Sequence, residues 1–362
     1  MAIKSLLVAR IRGDFGRPRI NRLRKLALCV PLVFGGLAFV SQASQRDVHP
    51  SAPVDASGGG LVRLGEQLFR STLLSRDGSV SCQTCHIPAL GFSGDRPVAI
   101  GVAGFTSNRR APSLLGLNHA TKLMWDGRAT DLRTQVAIPL ESPEMAVNWP
   151  TALSQLAVDP TFRKTLQEAG FVDIDRDTCL DALAAYVASL EAGESRFDRY
   201  YYRHDSQALS QQEVLGLRLF THKARCAGCH LLNGLGTPLT DDGFHAMGIG
   251  CDASSCLDRG RAAITGNPAD NGAFKTPSLR GVALRPYLMH DGSITSLRAA
   301  IERYNRGIKT DPRMRDGRLG PLYLADVEVD AIVAFLNALT PDDLRQDSTA
   351  IDGGDPHDQH GN

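Results

Sequence analysis

The 362-residue chain has almost no excess of either charge: 40 Lys and Arg against 39 Asp and Glu leave a formal net charge of +1. That balance removes the basic surface on which nucleic-acid binding depends, so no nucleic-acid partner is expected. Strand-like alternation is scarce, which argues against a sheet-built core. Long apolar runs are lacking too. LALCVPLVFGGLAFV at 26–40 stops at fifteen residues, short of the roughly 20 a membrane-spanning helix needs. Eight Lys or Arg and one Asp fall within residues 1–43, and Ser41 and Ala43 close the apolar run with small side chains. Basic start, short apolar stretch and small-residue exit read as a secretory signal over 1–43; an uncleaved membrane anchor is the alternative. Cys29 sits early in the run, which argues against a lipoprotein cleavage site. Cleavage after Ala43 changes the formal net charge from +1 to −6. The mature chain would be a mildly acidic periplasmic protein.

What is present is cysteine in a pattern. Four of the eight cysteines lie in VSCQTCH and RCAGCH, which place Cys82, Cys85 and His86, then Cys226, Cys229 and His230, at identical spacing. Cys251 and Cys256 are close in sequence and are expected to pair as a disulfide in an oxidising compartment. Cys179 lies on an apolar helical face and reads as a buried, inert thiol.

The chain also repeats itself. RAPSLLGLNHATKLMWDGRATDLRTQV at 110–136 aligns without gaps on KTPSLRGVALRPYLMHDGSITSLRAAI at 275–301, which sets Trp125 opposite His290. LGEQLF (64–69) precedes the first CxxCH and LGLRLF (215–220) the second. Each half closes on a helical pattern, with Leu183, Ala184, Val187 and Leu190 as the apolar face of the first and Val329, Ile332, Val333 and Leu336 of the second. Each half therefore reads helix, CxxCH, long loop, helix. The expected fold is mainly α and loop-rich, with two similar CxxCH domains in tandem, at 60–203 and 208–342, and a flexible polar tail at 343–362. Ser210 with Glu213 three residues on marks a helix start near the boundary. The second half carries an insertion between its CxxCH and its Pro-Ser-Leu, and the Cys251–Cys256 pair lies inside it. His357 and His360 sit in the polar tail and read as solvated.

Three chemistries use CxxC. A zinc ribbon needs its pairs about 15–20 residues apart; here they are more than a hundred apart. A thioredoxin-like dithiol needs one pair and no histidine. Haem c uses every part: two thiols add to the vinyl groups and the following histidine becomes the proximal iron ligand. Two covalently bound haems c follow.

The ordered set LFRSTLLSRDGSVSCQTCHIPALGFS, APSLLGL, MWDGRATDLRTQ, ESPEM, CAGCH, FKTPSLRGV and HDGSITSLRAAIERYNRG resembles the bacterial dihaem cytochrome c peroxidases and their relative MauG, over about residues 60–340. The resemblance implies a peroxide-binding haem in the N-terminal half and an electron-transfer haem in the C-terminal half. It implies Trp125 as an electron bridge between them, and Gln135, Glu144 and Pro139 over the peroxide iron. A carboxyl there can carry a proton between the oxygens of bound peroxide. The alternatives are a packing role for Trp125 and a cap or surface role for Glu144.

Three departures from the family pattern matter. Most members close the resting first iron with a histidine in the loop before APS, but no His or Met lies between His86 and Pro112. The first iron is expected to rest open, as in MauG. Most members use a methionine on the second iron; Tyr304 stands there, with Met289, His290 and, more weakly, Met247 as rivals. A phenolate favours ferric over ferrous iron. Finally, the asparagine that often helps hold calcium is Arg110 here, whose charge would repel a cation. Three functions stay open: a peroxidase fed by a small periplasmic cytochrome c or cupredoxin, a MauG-like oxidase that uses hydrogen peroxide to modify a side chain of a protein substrate, and a non-enzymatic dihaem electron carrier, against which the open iron argues.

Overall fold

The computed structural model describes residues 59–252, 255–308 and 316–349. The 1–43 leader and the tail residues His357 and His360 lie outside them. Among the described residues no helix is long and apolar enough to cross a membrane.

The chain is mainly helical and its two halves follow one plan. The first half holds α1 (Gly59–Arg70), the single turn α2 (Cys82–Cys85), α3 (Leu132–Glu141), α4 (Trp149–Val158), α5 (Pro160–Glu168) and α6 (Arg176–Ser189). The second holds α7 (Arg196–Tyr202), α8 (Gln211–Thr221), the single turn α9 (Ala262–Thr265), α10 (Leu297–Arg306), α11 (Asp326–Asn337) and α12 (Asp342–Thr349). Side-chain caps start most of these helices. Asp131, Asn148, Asp159 and Ser296 each accept a backbone N–H of the first turn, satisfying donors that a helix start leaves bare. The Ser210–Glu213 capping box forms at the start of α8, and Arg196 pairs with the same Glu213.

One crossing recurs in both halves: α1 packs on α6, and α8 on α11. The glycine of each LG–LF motif makes it possible. A Cβ on Gly65 would lie 1.9 Å from the Ala182 carbonyl oxygen, and one on Gly216 would lie 2.0 Å from that of Ala331. Around the crossings Leu64, Leu68, Leu180 and Leu183 fill one core; Phe197, Phe220, Ile332 and Phe335 fill the other. The buried face of α6 is wider than the periodicity predicts. It runs through Cys179, Leu180, Ala182, Leu183, Tyr186 and Val187, while Ala184 is half-buried and Leu190 serves as the cap. Cys179 is fully buried, as expected.

The loops repeat as well. Met124 and Met289 share a φ of 66°, and Gly127 and Gly292 a φ of 69°, so both Asp-Gly turns use the left-handed region. Within the second half, Arg280 and Asp198 of α7 form a fully buried ion pair, which Ser195 and the Thr237 carbonyl complete.

Two features depart from the sequence reading. The insertion contains a short antiparallel ribbon, β1 (Phe244–Ala246) with β2 (Ala273–Lys275), with Phe244 opposite Lys275. Three-residue strands are too short to show alternation. The polar tail is also not irregular from its start: 342–349 is helical, with Leu344 buried against Leu115 and Ala192. Asp342 and Asp343 in its first turn suit the positive helix end. The Cys251–Cys256 disulfide is present.

Gly216→Ala should destabilise the protein by about 1–3 kcal/mol or more, the usual cost of overpacking, because the new methyl meets backbone. Gly317→Ala, where nothing lies within 4 Å, should stay within about 0.5 kcal/mol of wild type. Thermal or denaturant unfolding of the two variants checks this.

Candidate functional site

Each CxxCH closes in the same way. His86 donates its backbone N–H to the Cys82 carbonyl, and His230 to that of Cys226, both at 2.9 Å. The histidine is thereby folded back over its own cysteines. His86 Nδ1 lies 3.1 Å from the Phe92 carbonyl oxygen, and His230 Nδ1 lies 3.1 Å from that of Leu239. A carbonyl only accepts, so Nδ1 carries the proton and Nε2 keeps its lone pair for a metal. Burial pushes both imidazoles down, His230 to about 4, which holds them neutral. Burial also pushes the Cys82 and Cys226 thiols up to about 12. Neither is a ready thiolate.

A cavity of about 480 Å³ opens in the first half. Cys82, Cys85 and His86 line it, together with Trp125, Gln135, Pro139 and Glu144. The structure thus brings all the residues expected over the peroxide iron into one space with the first CxxCH. Its volume, its two thiols and its neutral imidazole fit a haem. Gln135 and Pro139 stand on α3, whose first turn Asp131 caps. Gln135 Oε1 is buried and has no hydrogen-bond partner among the described residues, as expected of an acceptor kept for a ligand. Glu144 lies just beyond α3. Ser142 Oγ donates to Glu144 Oε2 in a short bond. The Glu144 carbonyl accepts from Val102 N at 3.0 Å. Gly101 allows that approach, since a Cβ there would lie 2.2 Å from the same carbonyl oxygen.

Among the described residues, His86 is the only histidine lining this cavity. Met124 and Met145 also border it. Sequence reading missed both, because they lie outside the loop in which a distal ligand is sought.

Trp125 is buried at the junction of the halves. Its Nε1–H donates to the Arg110 carbonyl at 2.8 Å, and its own carbonyl accepts from Lys275 N at 2.8 Å. Its ring meets His290 edge-on at 6.4 Å, and His290 stacks on Phe274 at 3.6 Å. The insertion clamps this junction. Asp258 accepts from Arg109 Nε at 2.6 Å, and Arg261 donates to the Asp126 carbonyl at 2.8 Å.

In the second half Tyr304, on α10, lies within electrostatic range of both Cys226 and Cys229. Burial and these two thiols push its hydroxyl above its ordinary range. His290 is held between Phe274 and Trp125, and Met289 packs against the second core. The Met247 carbonyl accepts from Arg303.

Arg110, which stands where the resemblance implies a calcium-binding asparagine, is buried. Nη1 donates to Ser93 Oγ at 2.6 Å and to the Ala111 carbonyl at 3.2 Å, and Nε to the Met289 carbonyl at 3.3 Å. A guanidinium already holds the oxygens a metal would need, so these residues do not fit calcium. Lys275 and Arg285, from the second half, also line the first cavity. No local spacing in the sequence announces that reach.

A family model described as di-haem cytochrome c peroxidase matches residues 60–207, and a cytochrome c model matches 214–340. The chain is 36% identical over 331 residues to methylamine utilization protein MauG of Methylorubrum extorquens, covering 86% of this chain and 91% of that protein. It is 30% identical over 303 residues to cytochrome c551 peroxidase of Nitrosomonas europaea, covering 83% and 86%. Among solved structures, a MauG-like protein associated with microbial copper homeostasis aligns with a TM-score of 0.71 at 27% identity, over 83% of this chain and 96% of that one. The diheme peroxidase BthA from Burkholderia thailandensis aligns with a TM-score of 0.62 at 25% identity, over 81% and 88%.

Replacing both Cys82 and Cys85 with Ala should leave one covalent haem of the expected two, read by haem-stained denaturing gels and pyridine haemochrome spectra. Two haems retained on that variant would contradict the assignment.

Proposed function

Because the chain belongs to the dihaem cytochrome c peroxidase and MauG family, we propose that it reduces hydrogen peroxide in the first cavity, with electrons entering through the second half. It is an oxidoreductase acting on peroxide and carries two covalently bound haems c. When bound, haem iron supplies the centre where peroxide is taken up and receives electrons. The balance is one peroxide, two electrons and two protons to two waters. The electrons come from a reduced small electron-transfer protein, a cytochrome c or a cupredoxin, in the periplasm.

The chain's own residues supply position and protons. His86, held neutral with Nδ1–H on the Phe92 carbonyl, presents Nε2 from one side. The observation that carries the proposal stands within the same cavity: Glu144, oriented by Ser142, beside a buried Gln135 oxygen with no hydrogen-bond partner among the described residues. Gln135 Oε1 accepts a hydrogen from peroxide and orients it. Glu144 takes a proton from one peroxide oxygen and returns it to the other, so that the departing oxygen leaves as water. Trp125, touching both halves, serves as the relay for electrons. Its Nε1–H bond to the Arg110 carbonyl fixes the ring in place.

A second reading is a MauG-like oxidase that draws the electrons from a side chain of a partner protein. Tyr304 favours it. A phenolate ligand is a hard anion that stabilises the more oxidised iron, and the buried Tyr304 hydroxyl lies within electrostatic range of Cys226 and Cys229.

Glu144→Gln keeps size and hydrogen bonding but removes the proton. It should slow the reaction with peroxide by about 10²–10⁴-fold with both haem spectra intact. Full activity would return Glu144 to a structural role. Tyr304→Phe should alter the spectrum of the second haem alone, and Tyr304→Met should raise its midpoint potential. An unchanged spectrum in Tyr304→Phe would transfer the ligand assignment to Met289 or His290.

A further inference from the structure

Two buried cations in the first cavity have no role in the chemistry above. Arg110 is 3% exposed and Arg285 is 6% exposed, and both line the cavity. Neither forms an ion pair with a carboxylate among the described residues. Their hydrogen bonds all go to neutral oxygens. Arg285 Nη1 donates to the Ser278 carbonyl at 2.8 Å and Nη2 to that of Arg280 in a short bond, while Nε is buried with no partner among the described residues. Arg110 is bonded to Ser93, Ala111 and Met289. Carbonyls satisfy donors without cancelling charge. The two guanidinium groups also repel each other, and with burial this pushes Arg285 down to about 9.

Unpaired buried charge is among the most costly features a fold can carry, and proteins keep it where a partner or ligand neutralises it. The contrast inside the same cavity is informative. Arg109 has Asp126 and Asp258, and Lys275 has Asp242. Arg109 and Lys275, which are more exposed, are paired by carboxylates, and the more buried Arg110 and Arg285 are not. Guanidinium is also the group whose planar donor fork suits carboxylates best.

We infer that Arg110 and Arg285 form a carboxylate site that receives the propionate groups of the haem attached at Cys82 and Cys85. Arg285 reaches in from the second half of the chain. The second half then holds the first haem by its acidic edge, while the first half holds it by its thioethers and His86. This rests on haem occupying the cavity, which haem staining tests separately.

A crystal structure of the wild-type holoprotein decides the matter. A propionate oxygen within about 2.7–3.2 Å of Arg285 Nε or of an Arg110 nitrogen is the expected result. A separate buffer anion, a water or a protein atom in that place overturns the proposal. Resonance Raman spectra give a second readout, because the propionate-bending band responds to hydrogen bonds on the propionates. With both haems retained, Arg285→Met should shift that band and Arg285→Lys should largely restore it. A band that moves in neither variant contradicts the assignment, and a variant that fails to fold leaves the wild-type structure to decide.

Discussion

The hydrogen bond from each proximal imidazole Nδ1 to a backbone carbonyl 3.1 Å away is the constraint on which the rest depends. It fixes the tautomer, aims Nε2 away from the chain, and ties the loop after each CxxCH to its histidine. Phe92 and Leu239, the two acceptors, therefore cannot drift without turning the ligand. Burial keeps the imidazoles neutral and so fit to bind iron. Thioethers formed at each cysteine pair would hold a haem from one side. What faces the other side of the iron, and what meets the other edge, then decides what each site does.

On this shared frame the two halves have diverged. The glycine-mediated crossings α1–α6 and α8–α11 and the paired Asp-Gly turns keep the scaffold equal. The first half sets Gln135 and Glu144 over an open space. The second sets Tyr304 near its cysteines. The insertion of the second half supplies Asp258 and Arg261, which clamp Arg109, Asp126 and the turn that carries Trp125. Trp125 and His290 occupy the same place in the repeat and meet at the centre of the molecule. A duplicated scaffold thus yields an indole at one position and an imidazole in contact with it at the other.

Much of this was legible in the sequence where the signal was local. The CxxCH spacing, the Ser210–Glu213 helix start and the Cys251–Cys256 pair each involve neighbours a few residues apart, and the repeat shows as one pattern written twice. That Gln135 and Glu144 share a cavity with His86 was legible only through motif resemblance, since nothing in their own spacing brings them together. Other features escaped for physical reasons. Ribbon β1–β2 is too short to alternate. Helix α12 is polar in composition but is anchored by Leu344. The burial of Arg110, and the reach of Arg285 and Lys275 into the first cavity, depend on how the halves pack and leave no periodicity. Met124 and Met145 border the cavity from beyond the searched loop.

The central claim is that the first iron rests with an open face between Gln135 and Glu144. Electron paramagnetic resonance of the all-ferric holoprotein, followed through a peroxide titration, tests it most directly. The account predicts a high-spin ferric signal from one haem, which is consumed by peroxide without prior reduction. A wholly low-spin spectrum, inert to peroxide until one haem is reduced, would contradict it and would point to Met124 or Met145 as a ligand closing the site.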